Sequence, residues 1–222
     1  MLKLVIGNRA YSSWSFRGWL AVKQSGEEFE ELVVPMFDAE WEERREGDEF
    51  APGGGKVPIL WDGECVVWDS LAIIEFLAER AGRERYWPEA IDARAMARSM
   101  AAEMHSGFAS LRRELPMNVR RTYPPQELSE DVRHDVDRIM QIWAQARARF
   151  GGTGDFLFGN WSAADIMFAP VVTRFLTYGV PVPSFAAIYM KAVLSHPDVA
   201  EWIDKAQDEP WVIEAYEADG AQ

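Results

Sequence analysis

The sequence GGKVPILWDGECVVWDSLAIIEFL, residues 54–77, decides how this chain folds. Its first half is rich in β-branched and aromatic residues, and Asp62-Gly63 is the two-residue signal of a type I′ turn. This pattern predicts a hairpin of residues 57–61 and 64–67. The second half is an apolar run with helical spacing. The stretch therefore predicts two strands and a helix in immediate succession.

Two polar residues, Asp69 and Ser70, come directly before the apolar residues of that helix. A short polar side chain at this position can cap the helix, and the free backbone N–H groups of the first turn point outward. Such a helix start can also hold a carboxylate. Pro58 lies within the first predicted strand, which indicates an edge position or an unusual backbone.

The residues before this stretch predict a strand, a helix and a second strand. Residues 2–6 form a nearly continuous apolar run, as in a strand that is covered on both faces. Residues 14–26 place apolar side chains at helical spacing and end at Gly26, and residues 29–34 alternate like a strand. Together with the later hairpin and helix, this order is βαβ followed by ββα, which is thioredoxin-like.

The charged segment GRERYWP, residues 82–88, marks a linker, because strand signals stop after it. We expect a thioredoxin-like domain of residues 1–81 and an all-helical domain of residues 89–222. Apolar residues at helical spacing predict the helices of this second domain, which are residues 96–115, 132–150, 166–178, 185–194 and 199–207. Ser162 with Asp165 three positions later predicts a capping box at the third of them.

Composition excludes several classes of protein. The 222 residues are 48% hydrophobic, which is enough for one large domain or two small ones. No apolar run reaches the length of a membrane span, and the apolar segment at the start of the sequence is too short for a signal peptide. We therefore expect a cytoplasmic location and no membrane partner. Cys65 is the only cysteine and the three histidines are far apart, which predicts neither disulfide nor metal.

The net charge of −13 argues against a nucleic-acid partner, because phosphate binding requires clustered Lys and Arg. Residues 1–80 contain eight basic and sixteen acidic side chains. An anionic ligand of this domain would therefore need local help from helix N-termini and from a few basic residues such as Arg17 or Lys56.

The Val-Pro pair, the hairpin and the acid-Ser helix start together resemble the glutathione site of the glutathione S-transferases. The resemblance implies a cis Pro58, and a Val57 backbone that pairs with the cysteinyl part of glutathione. It also implies that Asp69 and Ser70 hold the ammonium and carboxylate of the γ-glutamyl part. Lys56 is a candidate for the positive charge near the glycine end. The alternative for Asp69 and Ser70 is a capping role alone.

The string SSWSFR, which begins at Ser12, resembles the SSCS-type helix start of zeta-class glutathione transferases, with Trp14 in the place of Cys. By that match the Ser12 hydroxyl donates a hydrogen bond to the glutathione sulfur and favours the thiolate, because a free thiol with a pKa of about 8.5 is mostly protonated at neutral pH. Ser13 is the close alternative, and Tyr11 or Ser15 also stays open.

The resemblance implies a detoxifying glutathione transferase that is a homodimer and conjugates a small apolar electrophile lying against the helical domain. Met104, Phe108 and His105 are candidates for that side, although the spacing of the first two favours the core. Two alternatives are a non-catalytic member of the fold that binds glutathione or a protein, and a glutathione-dependent isomerase.

Overall fold

The computed structural model describes residues 1–217. Its first part contains one mixed sheet of four strands, which are β1 (Leu2–Ile6), β2 (Phe29–Val33), β3 (Ile59–Asp62) and β4 (Cys65–Val67). The strand order is β2-β1-β3-β4. β1 pairs with β2 in parallel, whereas the pairs β1–β3 and β3–β4 are antiparallel. The predicted thioredoxin-like arrangement is confirmed.

Three helices cover this sheet, namely α1 (Ser13–Ser25), α2 (Trp41–Arg45) and α3 (Ser70–Ala81). Leu4 of β1 packs in the cluster that holds α1 and α3, whereas Val5 packs in a separate cluster with Trp41 of α2. Successive side chains of a strand point to opposite faces, so both faces of β1 are buried. This burial explains the continuous apolar run of residues 2–6.

The second part is all-helical, as expected. Its helices are α4 (Ile91–Ser106), α5 (Ala109–Glu114), α6 (Glu130–Phe150), α7 (Ala163–Thr177), α8 (Ser184–Leu194) and α9 (Pro197–Gln207). Short 3-10 turns follow α2, α3 and α9, at Ala51–Gly53, Arg83–Arg85 and Glu214–Tyr216. Within residues 1–217, no helix is long and apolar enough to cross a membrane.

The prediction of one long helix over residues 96–115 is wrong, because the helix is interrupted between α4 and α5. Gly107 ends α4 in an extended conformation, and Phe108 has a left-handed backbone with φ 58°. The Arg112 guanidinium then donates to the carbonyls of Met104, His105 and Gly107. These carbonyls at the helix end would otherwise lack partners. The break therefore places a guanidinium under the last turn of α4.

α7 is the central helix of the second part, and its start is the predicted capping box. The Ser162 N–H and hydroxyl donate to Asp165 Oδ2 over 2.9 and 2.8 Å, and Leu157 N–H donates to Oδ1. Burial raises the pKa of Asp165 to about 6, although these hydrogen bonds favour the carboxylate. α7 also contacts the first part, since Arg17 Nε donates to the Met167 carbonyl.

Candidate active site

A cavity of about 940 Å³ lies between the sheet part and the helical part. From the first part it is lined by the start of α1, the segment before β3 and the segment before α3. From the second part it is lined by the end of α4, by α5 and by α7. Five of the six predicted site residues line it: Ser12, Ser13, Lys56, Val57 and Asp69.

The Val57-Pro58 peptide is cis, as the resemblance implies. Pairing of β3 with β1 begins at Ile59, so the backbone of Val57 lies just beyond the sheet and borders the cavity. Pro58 packs on α1 at Gly18, where a Cβ atom would lie 2.7 Å from both Cβ and Cγ of the proline ring. The absence of a side chain at Gly18 therefore permits the contact between α1 and the Val57-Pro58 segment.

Asp69 caps α3 and also contacts the second part of the chain. Its Oδ1 accepts hydrogen bonds from the N–H groups of Leu71 and Ala72, at 3.0 and 3.4 Å. Its Oδ2 lies 2.7 Å from Nε2 of His105. Ser70 is fully buried, and its hydroxyl has no partner within residues 1–217. Ser70 is the first residue of α3 and, unlike Asp69, does not line the cavity. Its hydroxyl is therefore an unused polar group that follows the capping residue in the chain.

Lys56 is exposed at the rim of the cavity, where it forms no ion pair with the rest of residues 1–217. Arg45 borders the same end, but its guanidinium is paired with Glu42 at 3.2 Å. This end can therefore offer positive charge to an anionic group.

The serines at the start of α1 have different partners. Ser12 is the N-cap, accepts the Ser15 N–H at 3.3 Å, and is hydrogen-bonded to the Ser15 hydroxyl at 2.7 Å. Ser15 is fully buried and accepts the Gly7 N–H, away from the cavity lining. Ser13 accepts a hydrogen bond from Arg174 Nη2 at 3.2 Å. Ser12 and Ser13 both border the cavity and can each present a hydroxyl proton.

The Tyr11 ring borders the cavity, but its hydroxyl is already engaged. It donates to Glu217 Oε1 at 2.6 Å and accepts from Arg120 Nη2 at 2.7 Å. Burial and the Glu217 carboxylate raise the pKa of Tyr11. The two serines are therefore better placed than Tyr11 to donate a proton into the cavity.

Trp14 lies between two cations at the wall of the cavity. The guanidinium carbons of Arg17 and Arg112 are each 4.7 Å from the centre of the indole ring. The His105 ring meets Trp14 edge-on at 5.2 Å. Cation–π attraction stabilises such a stack. Trp14, which stands where the resemblance would place a cysteine, therefore joins α1 to α4 and α5 through its ring.

Sequence reasoning missed two of the basic residues at the site, Arg112 and Arg174. Both border the cavity, and Arg174 is fully enclosed by α7 and its neighbours. Burial lowers the pKa of Arg174 to about 9. Burial and the nearby charge of Arg112 lower the pKa of Arg17 well below its usual value. The available signal in the sequence was an arginine within a helix that is apolar nearly all round, because such a helix is buried and charged residues are rarely buried without a partner.

The remaining candidates of the second part differ in placement. Met104 and Phe108 are buried in the main hydrophobic core, as expected, although Phe108 lies outside α4. His105 borders the cavity. Cys65 is exposed on β4. In the portion of the chain that the structure describes, no three His, Cys, Asp or Glu side chains are grouped to hold a metal ion.

Comparisons with known proteins agree with this fold. Glutathione S-transferase GstB from Escherichia coli K12 is 24% identical over 142 residues, which cover 62% of this chain and 68% of GstB. A glutathione transferase homologue from Burkholderia, solved with bound glutathione, is 21% identical and superposes with a TM-score of 0.68, covering 93% of this chain and 98% of that one. The Tau-class enzyme from mango is 18% identical with a TM-score of 0.67, covering 92% and 94%.

The sequence also matches two family models in tandem. Residues 11–80 match the glutathione S-transferase N-terminal domain, and residues 89–205 match the glutathione S-transferase C-terminal domain. The two matches include most of the chain and lie on either side of the segment between α3 and α4. The chain therefore belongs to the glutathione S-transferase family.

Proposed function

We propose that this protein is a glutathione transferase that binds glutathione against its first part and transfers the thiolate to an electrophile held by its second part. The observation that carries the proposal is the convergence of Asp69, Val57 and Ser12 on one cavity. The buried and unpartnered hydroxyl of Ser70, the next residue in the chain after Asp69, adds support. The glutathione bound to the Burkholderia homologue supports this ligand. We assign residues 1–81 to the glutathione domain, 82–88 to the linker and 89–222 to the electrophile domain, of which residues 218–222 lie outside the described part of the chain.

Each part of glutathione has a complementary group in this proposal. The Asp69 carboxylate pairs with the γ-glutamyl ammonium, while the Ser70 hydroxyl and the start of α3 meet the γ-glutamyl carboxylate. The backbone of Val57 pairs with the cysteinyl part. Lys56 attracts the glycine carboxylate from the rim. The sulfur then points towards Ser12 and Ser13 at the start of α1.

Ser12 activates the thiol in this proposal by donating a hydrogen bond to the thiolate. The Ser15 hydroxyl accepts from Gly7, so it can rotate its own proton towards Ser12 and free the Ser12 proton for the sulfur. The N-terminus of α1 adds positive potential at the same place. Ser13 remains the alternative donor, since its oxygen already accepts from Arg174.

The reaction itself is a nucleophilic attack. The thiol proton leaves to solvent, the sulfur lone pair forms the new bond to the electrophilic carbon, and the displaced bond or π electrons move to the leaving group or acceptor atom. The helical part supplies the other wall of the cavity, where His105, Arg112 and Met117 meet the electrophile. Detoxification, a homodimer and a cytoplasmic location stay predictions; sedimentation of a 25.3 kDa chain as a monomer would refute the dimer.

Retention on immobilised glutathione and conjugation of 1-chloro-2,4-dinitrobenzene test the proposed function together. A transferase is retained, is eluted by free glutathione, and accelerates loss of the free thiol. Retention without any conjugation would favour a non-catalytic binding protein. Isomerisation of a substrate without net consumption of glutathione would favour an isomerase.

A further inference from the structure

Three guanidinium groups converge on the helical side of the cavity. Arg112 and Arg174 border it directly, and Arg17 lies behind Trp14. None of the three forms an ion pair with a carboxylate in residues 1–217, whereas eight of the other fifteen arginines do. Uncompensated buried cations are costly, so this cluster requires an explanation.

The donor groups of these arginines are only partly used. Arg174 donates to the carbonyls of Leu115 and Pro170 and to Ser13, which accounts for three of its five N–H groups. Nη1 and Nη2 of Arg17 have no partner in the described part of the chain. Arg112 uses Nε and Nη2 on the last carbonyls of α4, so Nη1 remains. Neutral carbonyls orient these guanidiniums but do not neutralise them.

The carboxylates nearest to the cluster are already engaged elsewhere. Asp69 attracts Arg17 electrostatically, but its two oxygens contact the start of α3 and His105. Asp135 attracts Arg112, and its carboxylate accepts the Leu111 N–H. The charge of Arg112 in turn disfavours both other cations. The helical wall of the cavity therefore keeps a positive potential although the protein carries a net charge of −13.

Two anions could meet this wall, the glutathione thiolate and an anionic group on the electrophile. In the proposed function, Ser70 and Lys56 already receive the two carboxylates of glutathione. A volume of about 940 Å³ is near the upper end for small-molecule sites, which leaves room for a second reactant. The planar fork of a guanidinium matches a carboxylate better than a single sulfur atom. The electrophile is thus the better source of the anion.

We propose that Arg112 and Arg174 form a carboxylate-binding subsite, so that the electrophile conjugated by this protein carries a carboxylate. This inference rests on the proposed function, and it replaces the apolar electrophile expected from the sequence by an anionic one. Trp14 and Arg17 support the subsite, because the stacked ring fixes the position of Arg112 and the charge of Arg17 adds to the potential.

A matched pair of electrophiles tests the subsite, namely 4-chloro-3,5-dinitrobenzoate and 4-chloro-3,5-dinitrobenzamide. In both, the thiolate forms a C–S bond at the ring carbon that bears chlorine, and chloride leaves with the electron pair of the C–Cl bond. Each enzymatic kcat/KM is divided by the rate constant of the uncatalysed reaction with glutathione. We expect the ratio for the benzoate to exceed that for the benzamide by about tenfold or more.

Variants locate the preference. Arg112→Gln removes the charge and is expected to abolish the preference, whereas Arg112→Lys keeps a charge without the fork and retains part of it. Arg113→Gln is the matched control, because Arg113 is the exposed neighbour that pairs with Glu114 on the surface of α5, and it should keep the full preference. Equal ratios for the two electrophiles in the unmodified protein would overturn the proposal.

Two further readouts separate this proposal from others. Arg112→Gln could lower the conjugation rates of both electrophiles equally and raise the pH at which the ultraviolet absorbance of the bound thiolate appears. That result would mean that the cations act on the sulfur, and it would refute the subsite. If no electrophile is conjugated, the proposed transferase function fails, but the subsite can still be tested by binding. Calorimetry in the presence of glutathione then compares the affinities of two unreactive analogues, 3,5-dinitrobenzoate and 3,5-dinitrobenzamide. Tighter binding of the benzoate, lost in Arg112→Gln, supports it, and equal binding overturns it.

Discussion

Nε2 of His105 lies 2.7 Å from Oδ2 of Asp69, so a side chain of α4 holds the carboxylate that begins α3. The other oxygen of Asp69 caps the helix. The capping role of Asp69 and its proposed binding role can therefore be tested separately, because Asn caps a helix as well as Asp but carries no charge.

We expect Asp69→Asn to keep the free energy of unfolding within about 0.5 kcal/mol and Asp69→Ala to lose about 1 kcal/mol, because only Ala removes the cap. Both variants should bind glutathione at least about tenfold more weakly, since the γ-glutamyl ammonium loses its counter-charge. Urea unfolding and calorimetric titration with glutathione measure the two effects. Unchanged affinity in Asp69→Asn would reduce Asp69 to a capping residue.

Ser12→Ala is expected to raise the pH at which bound glutathione ionises and to lower kcat by about two orders of magnitude. Ser12→Thr keeps a hydroxyl and serves as the control. The alanine variant also loses the cap of α1, at a cost of about 1 kcal/mol, so unfolding should be measured in parallel. If Ser13→Ala shifts the thiol ionisation and Ser12→Ala does not, the hydroxyl that meets the sulfur belongs to Ser13.

Trp14→Leu should destabilise the protein by about 2–4 kcal/mol. The change removes the contacts of the indole ring with Arg17 and Arg112, each worth about 0.5–2 kcal/mol, together with buried apolar area. Trp68→Leu is the control for stability, because Trp68 is half exposed, and we expect a change within about 0.5 kcal/mol. Equal losses in the two variants would show that the stacked guanidiniums contribute nothing measurable.

The buried Asp165 predicts a pH-dependent contribution to stability. Its folded-state pKa of about 6 lies above the ordinary value of 3.8 for an aspartic acid, so the folded protein holds this proton more tightly than the unfolded chain. The contribution is therefore complete below about pH 4 and is lost as the pH rises through about 6. Urea unfolding of the unmodified protein and of Asp165→Asn at several pH values measures it.

We expect the stability difference between the unmodified protein and Asp165→Asn to shrink by about 2–3 kcal/mol between pH 4 and pH 7. Asp131→Asn provides a control, because Asp131 is an exposed acid in the first turn of α6. A difference that grows with rising pH would mean that the three hydrogen bonds to Asp165 outweigh its burial.

Gly18→Ala should lower the free energy of unfolding and weaken glutathione binding. Helix propensity alone favours alanine over glycine by about 0.5–1 kcal/mol, whereas a Cβ atom 2.7 Å from the Pro58 ring forces α1 away from it, at a cost of about 1–3 kcal/mol. The two effects have opposite signs, so urea unfolding decides between them. A more stable variant with unchanged affinity would refute the importance of this contact.

The sequence was sufficient for the fold and for most of one wall of the cavity. Strand alternation, the turn signal and the capping box are local patterns, and they predicted the sheet, the hairpin and the start of α7. The break at Gly107 was missed, because the apolar stripe continues across it and the left-handed Phe108 depends on tertiary contacts. The cation cluster was also missed, because Arg112 and Arg174 come together with Trp14 only through the packing of α5 and α7 against α1.

The contact between Gly18 and Pro58 joins the two segments that are proposed to bind the cysteinyl part of glutathione. Ser12 is attached to one end of α1, and the Val57 backbone is attached to the proline that packs on the same helix. A displacement of α1 would move the Ser12 hydroxyl and the Val57 backbone in the same direction. We therefore expect this contact to hold the Val57 backbone and the Ser12 hydroxyl, the proposed partners of the cysteinyl part, at a constant distance from each other. The opposite helical wall can then differ between electrophiles without changing that distance.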